Sequence, residues 1–173
     1  MLTHLNPAMQ EFITGQSMVY ISTSNTKGEC DCSFRAGLPG FVHVLNDNTL
    51  AYPEYRGNGV LASLGNIRDN PHIGMMFIDF FDSGIGLHVN GKARVILNGD
   101  LRQQKNLTEE LKHEAQLTDG RKPECWVWVQ VEEAYIHCSK HIPHLKKLEK
   151  EIHWGTDKKI FKGGDFFKTR DDQ

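Results

Sequence analysis

Asp31, Ser33 and Arg35 alternate along one short segment, so a strand there carries a carboxylate, a hydroxyl and a guanidinium on a single face. Arg56-Gly57-Asn58 adds a second guanidinium and an amide in a loop just ahead of a helical pattern. The start of a helix has unpaired N–H groups and the positive end of its dipole, which suits a phosphate. Arginine forks match phosphate oxygens two at a time, and Gly57 lets a backbone come close to a bound group. The chemistry offered is anion binding, with phosphate the best match. The same residues also read as strand-end turns with solvated charges and a surface salt bridge. On residue types and spacing alone both readings stand.

The elements that must position these groups are short and mostly extended. Met9, Phe12 and Ile13 fall at helical spacing within Pro7 to Gln16. Met18–Ser24 is rich in β-branched and aromatic residues and runs into the turn Asn25-Thr-Lys-Gly28, the pattern of a strand and its hairpin. Further strands are expected at Cys30–Arg35, Phe41–Leu45, Thr49–Tyr52, His72–Phe80 and Leu87–Ile96, the last with a bulge at Gly91. Cys125–Val131 alternates with period two, and Ala134–Cys138 continues the β pattern. Leu61, Leu64 and Ile67 share a helical face that ends at Asn70-Pro71, and Leu101–Leu117 is polar and helix-compatible. Six or seven closely spaced strands interrupted by two or three helices predict a mainly β protein, a barrel with peripheral helices.

Composition narrows the class. A chain of 173 residues fits one domain with a real core, and 39% hydrophobic with 24% charged residues is ordinary for a globular protein. The formal net charge of -2 supplies no basic field for nucleic acid or membrane surfaces. No apolar run approaches the roughly 20 residues needed to span a bilayer. The first residues lack the charged and apolar blocks of a signal peptide, so a cytoplasmic location is expected, with Cys30, Cys32, Cys125 and Cys138 as free thiols.

An ordered series of blocks then carries a resemblance. Asp31-Cys-Ser-Phe-Arg-Ala-Gly-Leu-Pro-Gly-Phe-Val42, Asn48–Pro53, Arg56-Gly-Asn58, Leu64-Gly-Asn-Ile67, Asn70–Phe77 and Leu87–Arg94 together resemble the pyridoxamine 5′-phosphate oxidase-like, FMN-binding split-barrel family. They are most similar to its branch of predicted flavin-nucleotide-binding proteins. The resemblance covers about the first 140 residues. It implies a six-stranded split β-barrel over residues 1–140, a Lys-rich and partly loose extension over 141–173, and a homodimer with FMN in clefts at the subunit interface. By the same resemblance Phe41, Val42, Tyr52 and Pro53 lie along the flavin and ribityl chain, Arg56, Gly57 and Asn58 meet the phosphate, and Ser33 and Arg35 line the cofactor. The oxidases often carry Arg-Lys where this chain has Gly57-Asn58, which leaves Arg56 as the main anchor. Their groups for pyridoxal phosphate have no match after Tyr135, so vitamin B6 oxidation is not expected. By the same resemblance Trp154 would reach the flavin of the partner subunit, as a C-terminal tryptophan does in the oxidases. The implied activity is an FMN-dependent oxidoreductase acting on a small molecule, with no catalytic acid or base assigned. A flavin-binding sensor without turnover and a haem- or deazaflavin-binding split barrel are the alternatives.

Other groups compete for attention. His137, Cys138, His141 and His144 are the candidates for a metal or haem, but Pro143 interrupts the spacing and no second ligand pair accompanies them, so no metal site is expected. Trp126 and Trp128 share a strand face and read as core or subunit-interface residues. Lys146, Lys147, Lys150, Lys158, Lys159 and Lys162 read as a solvated face diluted by Glu149 and Glu151.

Overall fold

Along the first strand Val19, Ile21 and Thr23 are buried while Tyr20 and Ser22 are not, the alternation of a sheet with one face on a core. That pattern repeats through a computed structural model of the chain, which describes residues 1–168 apart from Asn58, Lys105, Asn106, Asp119, Trp154, Asp157, Lys162, Gly163 and Asp165. The described elements run α1 (Pro7–Gly15), β1 (Met18–Ser24), β2 (Cys30–Ala36), β3 (His43–Asn46), β4 (Thr49–Glu54), α2 (Ala62–Asp69), β5 (His72–Ile78), β6 (Gly86–Ile96), α3 (Asn98–Leu101), α4 (Glu109–Glu114) and β7 (Cys125–His137). Seven strands form one sheet in the order β2-β1-β5-β6-β7-β4-β3, every pair antiparallel.

The sheet curls on itself. β2 and β4 stand five strand positions apart, about 24 Å in a flat sheet at the usual spacing. Yet Arg35 Nε on β2 donates to Glu54 Oε2 on β4 at 2.9 Å. β2 is one edge of the sheet and the end of β4, past its last pair with β3, is a free margin on the other side, so the two margins meet through side chains rather than through a backbone ladder, the geometry of a split barrel. Inside lie Val19, Ile21, Leu50, Tyr52, Met75, Phe77, Val89, Val127 and Val129, with α1 contributing Ile13 and α2 contributing Leu64 and Ile67. A second, smaller core sits on the outer face of β4 and β7, where Leu101, Leu107 and Leu111 cover Ala51 and Trp126. Trp126 Nε1 donates to Asn98 Oδ1 at 2.9 Å, which ties α3 to β7.

Several expectations shift in detail. The resemblance implied six strands and the sheet has seven. The alternating run at Cys125 and the β pattern at Ala134 are one strand of 13 residues. β3 begins at His43, not Phe41, because the Phe41 N–H closes a turn onto the Leu38 carbonyl at 2.9 Å and its ring packs over Gly37. The expected helix over Leu101–Leu117 is not continuous: α3 ends at Leu101, and α4 starts only where the Thr108 hydroxyl accepts from the Leu111 N–H. Gly91 is a bulge: the β6–β7 register shifts there, and a Cβ would run into the backbone oxygen of Gln130. Pro53 sits in β4 beyond the last β3 pair, His43–Ala51, so its missing N–H interrupts no ladder. Among the described residues no helix is long and apolar enough to cross a membrane.

Candidate functional site

Register decides which face of β2 matters. Val19 pairs with Arg35, Ile21 with Ser33 and Thr23 with Asp31. Opposed residues share a face, so the polar triple points to the same side as the buried core residues of β1. At this margin the inner face meets α2 and the β4–α2 loop instead of another strand. Ser63, 2% exposed, donates its hydroxyl to Asp31 Oδ2 at 2.6 Å, and the Ser33 hydroxyl donates to the same oxygen at 2.8 Å. Arg35 donates from Nη2 to Ser63 Oγ at 3.3 Å and from Nη1 to the Phe34 carbonyl at 3.1 Å, besides its bond to Glu54. Asp31, Ser33, Arg35, Glu54 and Ser63 thus form one network joining β2, β4 and α2.

The protonation states follow from these contacts. The Ser63 hydrogen bond is the main cause holding the Asp31 carboxyl below its ordinary value; the Ser33 hydrogen bond and the Arg35 charge add to it, against the opposing effect of burial. Burial pushes Glu54 up, opposed by the charge and hydrogen bond of Arg35. Burial, with the nearby Glu54 charge, also raises the Cys125 thiol to about 11, so that thiol is not an activated nucleophile.

Beside the network opens a cavity of ≈ 630 Å³, whose lining includes Ser33, Arg35, Arg56, Gly57, Ser63 and His153. Its wall is the free edge of β2. The Gly37 N–H to Ser17 carbonyl bond at 3.0 Å sets the hydrogen-bonding phase of the β1–β2 pair, so the odd-numbered residues pair with β1. The amides of Cys32, Phe34 and Ala36 consequently face the cavity side. Leu61 precedes α2 with φ 54, a left-handed conformation strained for leucine, and its own side chain makes no capping hydrogen bond.

Five of the residues singled out from the sequence come together here: Asp31, Ser33, Arg35, Arg56 and Gly57. Four others do not. Phe41 and Val42 are core residues at 4% and 0% exposure, and Tyr52 is fully enclosed, its hydroxyl without a hydrogen-bond partner among the described residues. Pro53 is buried on the opposite face of β4 from Tyr52. The reason is that β4 is covered on both sides, by the main core and by the α3–α4 core, and all six of its residues are buried. Asn58 and Trp154 lie outside the described residues. Sequence reading missed Glu54 and Ser63. The signal for Glu54 was an acidic residue next to a proline-ended strand, near enough to answer Arg35; for Ser63 it was a hydroxyl in the first turn of α2.

The competing groups resolve as follows. His137 Nδ1 lies 2.8 Å from His88 Nε2, and the His88 ring stacks on Tyr135 at 4.7 Å. Among the described residues no cluster of three or more His, Cys, Asp or Glu side chains is arranged to hold a metal. Trp126 is core, and Trp128 carries Arg94 over its ring at 5.3 Å. The four cysteines are free, Cys125 buried and the others exposed.

A sheet rolled into a barrel, joined at its margins by an ion pair and open beside it, defines this chain as a split-barrel protein with an anion-competent cleft. Residues 5–138 match the profile of the pyridoxamine 5′-phosphate oxidase family, and the chain belongs to that family. Solved structures with the same fold include HupZ of Group A Streptococcus (TM-score 0.56, 21% identity, 76% of this chain and 93% of that one). They also include a candidate pyridoxamine 5′-phosphate oxidase of Lactobacillus delbrueckii (TM-score 0.57, 18% identity, 78% and 95%). At these identities the likeness is one of fold alone. A search of curated proteins found no match.

Proposed function

We propose that the cleft beside the Arg35–Glu54 pair binds FMN and that the protein is an FMN-dependent oxidoreductase acting on a small molecule. One observation carries this reading. Ser33, Arg35, Arg56 and Gly57 come from two separate segments of a chain in this family, and they line one cavity of a size suited to a cofactor. The donor set fits a phosphate-bearing group: Arg56 and Gly57 lie in the loop ahead of α2, whose N-cap residue Leu61 makes no side-chain capping bond. The Ser33 hydroxyl, the Arg35 guanidinium and the β2 margin amides supply further donors for the remainder of the molecule. Two carboxylates of the described lining are at odds with an anion, and both are already engaged: Asp31 by two hydroxyls and Glu54 by Arg35. Bound FMN supplies hydride and single-electron transfer. The protein's part is to anchor the phosphate, orient the ring and leave one side open to a second ligand; no side chain is assigned as acid or base.

The reading extends to a homodimer. On the outer face the register lines up Phe34, Tyr20, Met76, His88 and Tyr135 across five strands. Phe34 is 53% exposed and the other four are half-buried. A continuous apolar and aromatic stripe of this kind suits a second copy of the chain.

The test is the visible spectrum of the purified protein with and without added FMN. The two visible bands of oxidised flavin, retained through gel filtration, are the expected result. Arg56→Ala should weaken FMN binding by about tenfold to a hundredfold through the lost charge-assisted contact. A protein that ignores FMN, or shows a Soret band instead, overturns the proposal. Anaerobic reduction by NADH or NADPH then separates an oxidoreductase from a flavin-binding protein without turnover.

A further inference from the structure

A second, larger cavity of ≈ 1170 Å³ adjoins the cofactor cleft and shares Phe34, Ala36, Ile152 and His153 with it. Its roof is the C-terminal segment, pinned at two points. The Leu145 N–H donates to the Phe80 carbonyl at 2.7 Å. Gly155, at φ 65, lies so close to the 120–122 backbone that a Cβ would come within 2.9 Å of the Gly120 oxygen. Between these anchors Leu148, Lys150 and Ile152 line the cavity together with Met18 of β1 and Phe34 and Ala36 of β2.

The lining has two parts. Phe34, Leu38, Phe81, Leu148, Ile152 and Phe161 contribute apolar surface, all of them large side chains left exposed in a single chain. Among the described lining residues, Arg121, Lys147, Lys150 and Lys158 stand around them with the carboxylate of Glu149. The chain as a whole carries a formal charge of -2, so four cations to one anion among the described lining residues is a local excess that composition does not explain. An apolar floor rimmed by cations matches a ligand with an apolar body and an anionic end.

We infer that this cavity is the substrate chamber and that it takes a small, apolar-bodied carboxylate or related anion, held beside the cofactor across the shared wall at Phe34. The inference rests on the FMN reading of the neighbouring cleft for the word substrate, and on the cavity's own chemistry for the ligand class. The C-terminal lysines are then the recognition rim, not a uniformly solvated face.

The experiment uses two dyes with the same aromatic body, 8-anilinonaphthalene-1-sulfonate and its uncharged counterpart N-phenyl-1-naphthylamine, titrated into the full chain and followed by fluorescence. Saturable binding of the sulfonate, one per chain and undiminished by saturating FMN, is expected. Lys147→Glu with Lys150→Glu should weaken the sulfonate about tenfold while leaving the uncharged dye and FMN within about twofold. Leu38→Asp should weaken both dyes and spare FMN. Equal losses for both dyes in the lysine variant, displacement of the sulfonate by FMN, or no saturable binding overturns the inference. So does a Leu38→Asp protein whose only change is its oligomeric state by size-exclusion chromatography, because the surface then serves a second copy of the chain. If the sulfonate binds with this selectivity and FMN does not bind at all, the cofactor reading falls and the anion site stands.

Discussion

Arg35 and Glu54, 19 residues apart in sequence and on opposite margins of the sheet, are joined by a 2.9 Å ion pair whose side chains are 19% and 7% exposed. This pair takes the place of the backbone ladder that would otherwise close the barrel. It also borders the cleft, so the residue that holds the margins together is one that would face a cofactor. A surface ion pair contributes little to stability, but one buried to this degree leaves a stranded charge when half of it is removed.

Arg35→Met should therefore cost about 3 kcal/mol at neutral pH, read by urea denaturation, and the double variant Arg35→Met, Glu54→Met should recover most of that loss. The pH dependence has a defined sign. Burial raises Glu54 in the folded state, so the folded protein holds this proton longer than the unfolded chain as pH rises. Its contribution is greatest below the ordinary carboxylate value of 4.5 and declines as pH climbs through the raised folded value. Arg35 opposes the shift, so the single variant should show the steeper decline.

Asp79 behaves in the opposite sense. Burial would raise it, but hydrogen bonds from the Ser83 amide and hydroxyl and the Phe81 and Asp82 amides outweigh that and hold it at about 2. The stability it contributes is complete above its ordinary value of 3.8 and is lost as pH falls through about 2. Asp79→Asn should flatten the acid limb of the stability profile in that window. A limb unchanged by the substitution would show that other carboxylates govern it.

Gly91→Ala places a Cβ against the Gln130 carbonyl, a backbone atom that cannot rotate away. A loss of about 3 kcal/mol or an insoluble product is expected, at or beyond the usual cost of overpacking. Gly99→Ala, where the added methyl meets open space within α3, is the control and should be neutral or stabilising by up to about 1 kcal/mol. Comparable melting temperatures for the two would remove the close approach as the reason for glycine at position 91.

Trp126→Phe tests the small outer core. It keeps most of the apolar surface but leaves Asn98 Oδ1 without its 2.9 Å donor. The expected cost is about 1–3 kcal/mol, with α3 and α4 becoming accessible to protease before the barrel does. Protease resistance equal to that of the parent would show that packing of Leu101, Leu107 and Leu111 suffices to hold the two helices.

Much of this molecule was legible in one dimension. Period-two alternation located the strands, Asn25–Gly28 located the first hairpin, and the lone Gly91 marked the bulge, because each is a local consequence of backbone sterics and side-chain direction. The same alternation placed Asp31, Ser33 and Arg35 on one face. What that face looks toward was not legible. Whether Tyr52 and Pro53 border a ligand or a core depends on what covers β4, and the cover comes from Trp126 on β7 and Leu111 on α4, more than 50 residues on. The partners Glu54 and Ser63, and the meeting of the cleft with the lysine-rimmed cavity, exist only because the sheet closes on itself. The sequence by itself determined the elements and the polar face of β2; the tertiary structure decided which residues that face meets, since closure is a sum over contacts between distant segments that no local pattern encodes.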